Sequence, residues 1–279
     1  MKLKIFIVVF VVIVAAMVGR SLRSGEQSHV AGDAQQDAST VHQGETQGES
    51  SARRLDQSFR LTDGARVEVH GINGPVSIEA TNSNIAEVHI TSAAGSAGAL
   101  ENHKIIVEQT DARLVVRGKG DDNWGFWRWL RGADKARHNV TLKLPRRVEL
   151  ATRGINGKVT IGEMEGSVQV SGVNGSVEIA GTRGVAEVNG VNGGVSLTIT
   201  HMGDDRVRVN GINGGVELRL GNEVSADLNV SGLNGNVAVE APNVEVLEQK
   251  RSKLRARIGA GGAEIKVNGI NGGVRLVGV

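Results

Sequence analysis

The chain has 279 residues, of which 39% are apolar, 22% charged and 3% aromatic, with 39 Gly, 3 Pro and no Cys. The absent cysteine excludes disulfides, thiolate metal sites, a cysteine nucleophile and an acylated cysteine anchor. A formal net charge of +2 gives no global case for nucleic-acid binding, and Gly without a three-residue period excludes collagen.

Lys2 and Lys4 precede an unbroken apolar run at residues 5–18. A basic flank followed by such a run is the pattern of an export signal, and the run is shorter than the roughly 20 residues that span a bilayer. Residues 1–20 are therefore read as a signal peptide or an N-terminal membrane anchor. Val14-Ala15-Ala16 suits cleavage, whereas Arg20 and Arg23 suit an anchor, and both readings stand. Residues 21–58 are rich in Gln, Ser, Gly, Glu and Asp. They cannot bury enough apolar surface to offset their ordering entropy, so a disordered polar linker is expected. His29 and His42 within it have no companion ligands at metal spacing.

From residue 59 to 279 one phrase recurs: Gly, then Ile, Val or Leu, then Asn-Gly. It begins at Gly71, Gly154, Gly172, Gly190, Gly211, Gly232 and Gly269. Apolar residues stand four and two positions before the first Gly and one, five and seven after it. Around Gly172 these are Val168, Val170, Val173, Val177 and Ile179. Alternation on both sides predicts two short strands, each with one buried face. Asn-Gly between alternating runs is also a hairpin signal. The steps of 18, 18, 21, 21 and 37 residues from Gly154, with a constant apolar register, favour stacked coils. The predicted fold is all-β: a β-solenoid, parallel β-helix-like, of about 18–21-residue coils. Stacking each copy on the one before would place Asn73, Asn156, Asn174, Asn192, Asn213, Asn234 and Asn271 in a ladder of side-chain amides.

Two stretches interrupt the repeats. Between Gly71 and Gly154, strands are expected at 85–91, 104–109, 113–117, 139–144 and 148–151. Among them Asp121-Asp122-Asn123-Trp124-Gly125-Phe126-Trp127-Arg128-Trp129-Leu130-Arg131 holds all three Trp. Trp124, Phe126, Trp127 and Trp129, with Arg128 and Arg131, form a candidate contact loop for a membrane or partner. The alternative, a cap packed over an open solenoid end, is favoured because stacked coils need covered ends. The second interruption, residues 244–257, carries the basic run Lys250-Arg251-Ser252-Lys253-Leu254-Arg255-Ala256-Arg257. It reads as a solvated strand or loop, with an acidic polymer or headgroups as the second reading.

The phrase Val140-Thr141-Leu142-Lys143-Leu144-Pro145, the corner Gly154-Ile155-Asn156-Gly157 and the late Gly259-Ala260-Gly261-Gly262-Ala263-Glu264-Ile265 resemble the bacterial putative-adhesin domain of unknown function, a β-solenoid group related to head GIN domains. The resemblance covers roughly residues 60–279. It implies an exported or membrane-attached, mostly β protein without an established enzymatic site.

No serine-nucleophile elbow or His-Glu-x-x-His motif occurs, and the seven His are scattered. Asp121-Asp122 and Asp204-Asp205 are adjacent in the chain, whereas paired catalytic carboxylates must converge across a cleft. The expectation is a non-catalytic protein of the cell envelope, on its periplasmic or extracellular face, with a structural, adhesive or interaction role. No cofactor, metal or nucleic acid is expected. Partners would be the membrane, through the N-terminal segment, and an envelope protein or glycan. Two alternatives remain: a β-helix enzyme acting on polysaccharide, and a membrane-anchored envelope-stress sensor.

Overall fold

The computed structural model describes residues 51–119, 136–183, 185–203 and 205–279. The apolar N-terminal run, the linker as far as residue 50 and the tryptophan cluster lie outside the described residues.

The repeated corner sets the geometry. Its first Gly has φ between 60° and 67° in all seven copies, a region that residues with a Cβ avoid. Its second Gly touches the neighbouring copy: a Cβ on Gly193 or Gly214 would run into the carbonyl of Gly175 or Gly193. The apolar residue between them is buried, as at Ile155, Val173, Val191 and Ile212.

Strands β1 (Ser51–Arg60) and β2 (Arg66–His70) precede the first corner. After it come β3 (Val76–Thr81), β4 (Ile85–Ala94), the helix α1 (Ala97–Asn102), β5 (Ile105–Thr110) and β6 (Arg113–Gly118). β7 (Arg137–Pro145) and β8 (Glu149–Ile155) lead into the second corner. The regular run follows: β9 (Val159–Met164), β10 (Val168–Val173), β11 (Val177–Thr182), β12 (Ala186–Val191), β13 (Val195–Ile199), β14 (Val207–Ile212), β15 (Val216–Leu220), β16 (Ala226–Leu233) and β17 (Val237–Val239). β18 (Val244–Lys250) and β19 (Lys253–Ile258) form a hairpin before β20 (Ala263–Ile270) and β21 (Val274–Gly278).

Among the described residues the strands make two mixed sheets. The first runs β1-β4-β7-β3-β9-β11-β13-β15-β21-β17, and the second β18-β19-β16-β20-β14-β12-β10-β8-β2-β6-β5. Each corner thus passes the chain from the second sheet to the first. Copies pair in parallel and in register: Val168 lies between Leu150 and Ala186, and Val177 between Val159 and Val195. The inward side chains of both sheets share one apolar core of Val, Ile, Leu and Ala.

Three features differ from the sequence expectation. The copies do not stack in chain order, because β20 lies between β14 and β16, and β21 between β15 and β17. The reason lies in β17. It pairs over three residues, while β15 and β21 pair over five, Val216↔Val274 to Leu220↔Gly278. Pro242 follows close behind and has no N–H for a ladder. Placed outermost, the short strand leaves the fewest backbone groups of its neighbours unpaired. Residues 259–262 make the crossing, since Ala226 of β16 faces Ile258 of β19 on one side and Ala263 of β20 on the other. Positive φ at Gly259 and Gly261 permits this strap. The Ala260 N–H donates to Ser225 Oγ and the Gly262 N–H to Asp227 Oδ2, each at 3.3 Å.

The second difference is the linker boundary. Residues 51–58, expected in the linker, are strand, paired antiparallel with β4 from Ser51↔Ala94 to Arg60↔Ile85. Leu55 and Phe59 pack on the core, but Gln57 between them hides the alternation. The third is α1, a short turn with no visible period in the chain, capped by Ser96, whose Oγ accepts from the Ala99 N–H at 3.2 Å.

Candidate interaction surfaces

The corner asparagines are brought together into one chain of hydrogen bonds. Asn234 Nδ2 donates to Asn271 Oδ1 (3.0 Å), Asn271 to Asn213 (2.9 Å), Asn213 to Asn192 (2.8 Å) and Asn192 to Asn174 (3.0 Å). Asn174 donates to Asn156 and Asn156 to Asn73, both at 2.9 Å, and Asn73 closes the ladder on the Ala136 carbonyl at 2.8 Å. Every amide points the same way along the stack. With their donors and acceptors engaged with each other, these residues act as framework rather than as a ligand loop. A shorter row at the position before the corner was not anticipated: Asn210 Nδ2 donates to Asn189 Oδ1 (2.9 Å), and Ser231 Oγ to Asn268 Oδ1 (3.1 Å). Its signal is Asn directly before Gly at 189, 210 and 268.

Trp124, Phe126, Trp127, Arg128, Trp129 and Arg131 lie outside the described residues. Their place in the chain is informative, because β6 and β7 stack on β2 and β3. Residues 119–136 therefore stand in the chain where the adjacent copy has its short corner Gly71-Ile72-Asn73-Gly74.

The outward faces of the two sheets differ in charge balance. On the repeats of the first sheet each cation has a close carboxylate: Lys158–Glu178 at 2.7 Å, Arg219–Glu217 at 2.6 Å and Arg275–Glu240 at 2.6 Å. The Lys158 ammonium holds Glu178 below its ordinary pKa, and the Arg275 guanidinium does the same to Glu240. Between these pairs runs an open trough of about 640 Å³, floored by Gly194, Gly215 and Gly273. Lys158, Ser176 and Asn236 occupy the same register position in other copies.

On the second sheet the pairing is uneven: Arg66, Arg113 and Arg117 have carboxylates at 2.8–3.2 Å, but others do not. Arg208 and Lys266 share Glu264, each at 4.0 Å. Arg153, Arg206 and Arg255 have no carboxylate within ion-pair distance among the described residues. Arg255 belongs to the basic run seen in the sequence, which forms β19 and its approach.

Two further polar clusters lie toward the amino end. His89 Nδ1 is 2.6 Å from Asp56 Oδ1 and its Nε2 is 3.3 Å from Glu87 Oε2, while Lys143 Nζ reaches Glu87 at 3.0 Å. Asp56, then burial opposing it, then Glu87 set the His89 pKa, with a net rise. His138 Nδ1 lies 2.8 Å from Ser92 Oγ, and both side chains are buried. Burial, assisted by His103, lowers the His138 pKa. A serine nucleophile must meet its substrate, and Ser92 at 8% exposure is enclosed by the fold.

No known family profile matches the chain, and no curated protein does. Several solved structures are similar to it. One is described as a putative cell adhesion protein from Clostridium sporogenes ATCC 15579, with 15% identity over 81% of this chain and 100% of that one, at a TM-score of 0.39. Another is a putative adhesin from Bacteroides fragilis NCTC 9343, 9% identical over 80% and 97% of the two chains, at a TM-score of 0.32. A third is a putative lipid binding protein from Parabacteroides distasonis ATCC 8503, 11% identical over 80% and 96%, at a TM-score of 0.26.

Proposed function

We propose that this chain is a non-catalytic interaction protein of the cell envelope, built as a β-solenoid whose outward sheet faces meet a partner. The observation that carries the reading is the in-register stacking itself. It repeats each outward position at the strand spacing of about 4.8 Å, so a rigid ruled surface faces outward on each sheet. Such a surface suits an extended partner better than a small substrate, which needs a concave site. The basic flank and apolar run at residues 2–18 support export, with the chain either released or held at the membrane. The tryptophan segment is a second contact point in this reading.

The full chain, immobilised on beads, should retain material from an envelope fraction, with a glycan array run beside it. Retention of a defined envelope protein or glycan, without cleavage of any arrayed glycan, is the expected result. Release of new reducing ends would support the polysaccharide-acting alternative, and absence of any retention would overturn the interaction role.

A further inference from the structure

We infer that the outward face of the second sheet, around Arg208, Lys266 and Arg255, is a docking strip for an acidic polysaccharide. The inference rests on the interaction role proposed above and names the face and the class of partner.

Four neighbouring strands form one row, and three of them place a cation in it. Arg208 of β14 pairs in register with Lys266 of β20, Lys266 with Asn229 of β16, and Asn229 with Arg255 of β19. At about 4.8 Å per strand, the positive groups repeat along the stack rather than around a point. The interpolation of β20 creates this row. Had the copies stacked in chain order, Asn229 would stand beside Arg208 and separate it from Lys266.

The carboxylates nearby hold these cations at long range or hold other groups. Glu248 holds both Lys250 (2.6 Å) and Lys253 (3.3 Å), and Glu264 is divided between Arg208 and Lys266 at 4.0 Å. Asp227 accepts from the Gly262 N–H of the strap, and Glu187, the next group along the row, accepts from Asn189; both stay charged but are bound to neutral donors rather than to the cations of the row. Arg255 keeps no anionic partner among the described residues. Among the described residues Arg208, Lys266 and Arg255 thus lack a close ion pair, whereas on the first sheet Lys158, Arg219 and Arg275 each have a carboxylate within 2.7 Å. A polyanion would supply the close contacts.

The adjoining row decides which polyanion. Asn210, Asn268 and Ser231 lie side by side, two residues further along their strands on the same face, and continue to Lys253. Amides and hydroxyls beside a line of cations match a chain that bears a carboxylate and several hydroxyls on each unit. Nucleic acid would look for aromatic side chains on which its bases stack, and this face carries none among the described residues. A membrane surface would look for apolar side chains among the cations; the positions between and beside Arg208, Lys266 and Arg255 are held by Asn229, Asn210, Asn268 and Ser231, and the exposed Val246 and Leu247 lie on β18, beyond β19.

The test uses the full chain against immobilised polygalacturonate, with neutral dextran, anionic phospholipid vesicles and single-stranded DNA in parallel. Binding to polygalacturonate that weakens as salt rises, with little on dextran, is expected. Charge reversal in K266E/R255E should weaken that binding at least tenfold, and K266Q/R255Q should weaken it less. K158E, on the first sheet, should leave it within twofold. Unchanged melting temperatures would show that all three variants fold. Equal binding by K266E/R255E, failure to bind polygalacturonate, or tighter binding to vesicles or DNA would each overturn the inference. If the chain still retains envelope material in those cases, the interaction role stands and only this assignment falls.

Discussion

The middle of the molecule and its two ends solve the same problem by different means. In the middle, from β8 to β15, every strand pair is parallel, with one register shift where β11 meets β13 after Ile179, and one copy's corner rests on the next. At the amino end the first sheet closes with the antiparallel run β7-β4-β1, and the second with β6-β5. At the carboxyl end β16, β19 and β18 are antiparallel. A stack of parallel strands always exposes an edge that another strand could extend. Antiparallel strands turn the chain back across that edge, and they need no repeated phrase to do so. Regularity therefore belongs to the middle, and termination depends on singular residues.

The largest effect tests the stacking order at the carboxyl end. The chain has no cysteine, so introduced pairs report cleanly. Glu217 pairs in register with Arg275, and Arg275 with Ala238. Under mild oxidation E217C/R275C should form an intramolecular disulfide almost completely, because neighbouring strands bring the Cα atoms within bonding reach. E217C/A238C, two strands apart, should form almost none. Non-reducing gels with mass spectrometry read the outcome, and the reverse pattern would show that the copies stack in chain order.

Glycine substitutions separate the middle from the amino end. A Cβ at Gly214 would meet the Gly193 carbonyl, whereas one at Gly98 in α1 meets nothing within 4 Å. Gly214→Ala should cost about 1–3 kcal/mol as the two copies are forced apart. Gly98→Ala should stabilise by up to about 1 kcal/mol through a stiffer helix. Urea unfolding midpoints check both, and equal effects would remove the distinction between corner and end.

One residue breaks the regular pattern at the edge of the middle. Thr152 holds the inward position two before the corner that Val69, Val170, Val188 and Val209 hold elsewhere. It is 1% exposed, and its Oγ1 has no partner. A buried hydroxyl without a hydrogen bond costs about 1–3 kcal/mol, so Thr152→Val should stabilise by something on the order of 1 kcal/mol. A loss of stability on calorimetry would mean that the hydroxyl is satisfied in solution.

These contrasts explain what could be read from the chain beforehand. The corner was legible because its demands are local. Positive φ requires Gly, the bend requires an apolar plug such as Val173, and a stacked amide requires Asn. The strands at 85–91 and 113–117 were legible from alternation alone. The position of β20 was hidden, because its apolar register is the same as that of β16. Only the length of β17 and the strap at residues 259–262 distinguish the two orders. β1 was hidden because Gln57 occupies an inward slot. The loosely paired strip was partly visible as the basic run on β19. Arg208 and Lys266 join it only through the non-sequential order.

Within the asparagine ladder the contrast is smaller. Asn192 donates to Asn174 and accepts from Asn213, whereas Asn234 at the carboxyl end donates only. Asn192→Ala should cost about 1 kcal/mol and Asn234→Ala roughly half of that, since each bond contributes about 0.5–1.5 kcal/mol and these are exposed. Equal urea midpoints for the two variants would show that the ladder does not act as a chain of separate bonds.

The smallest effect is a pH dependence confined to the amino end, where two histidines act with opposite sign. His138 has its folded pKa lowered by burial. Its contribution is complete above the unfolded value of about 6.5 and is lost as pH falls from there through the lowered folded value, because the unfolded chain binds the proton first. His89 is raised, chiefly by Asp56 of β1, with Glu87 on its own strand assisting and Arg54 and Lys143 competing for those carboxylates. Its contribution is complete below about 6.5 and fades as pH rises through the raised value. Because its side chain is 37% exposed, the effect should stay below about 1 kcal/mol. Urea midpoints followed from pH 5 to 9 should therefore fall on both flanks. His138→Gln should flatten the acid flank alone and His89→Gln the alkaline flank alone. A variant that shifts both flanks equally would show that the two histidines titrate as one coupled system across β4 and β7.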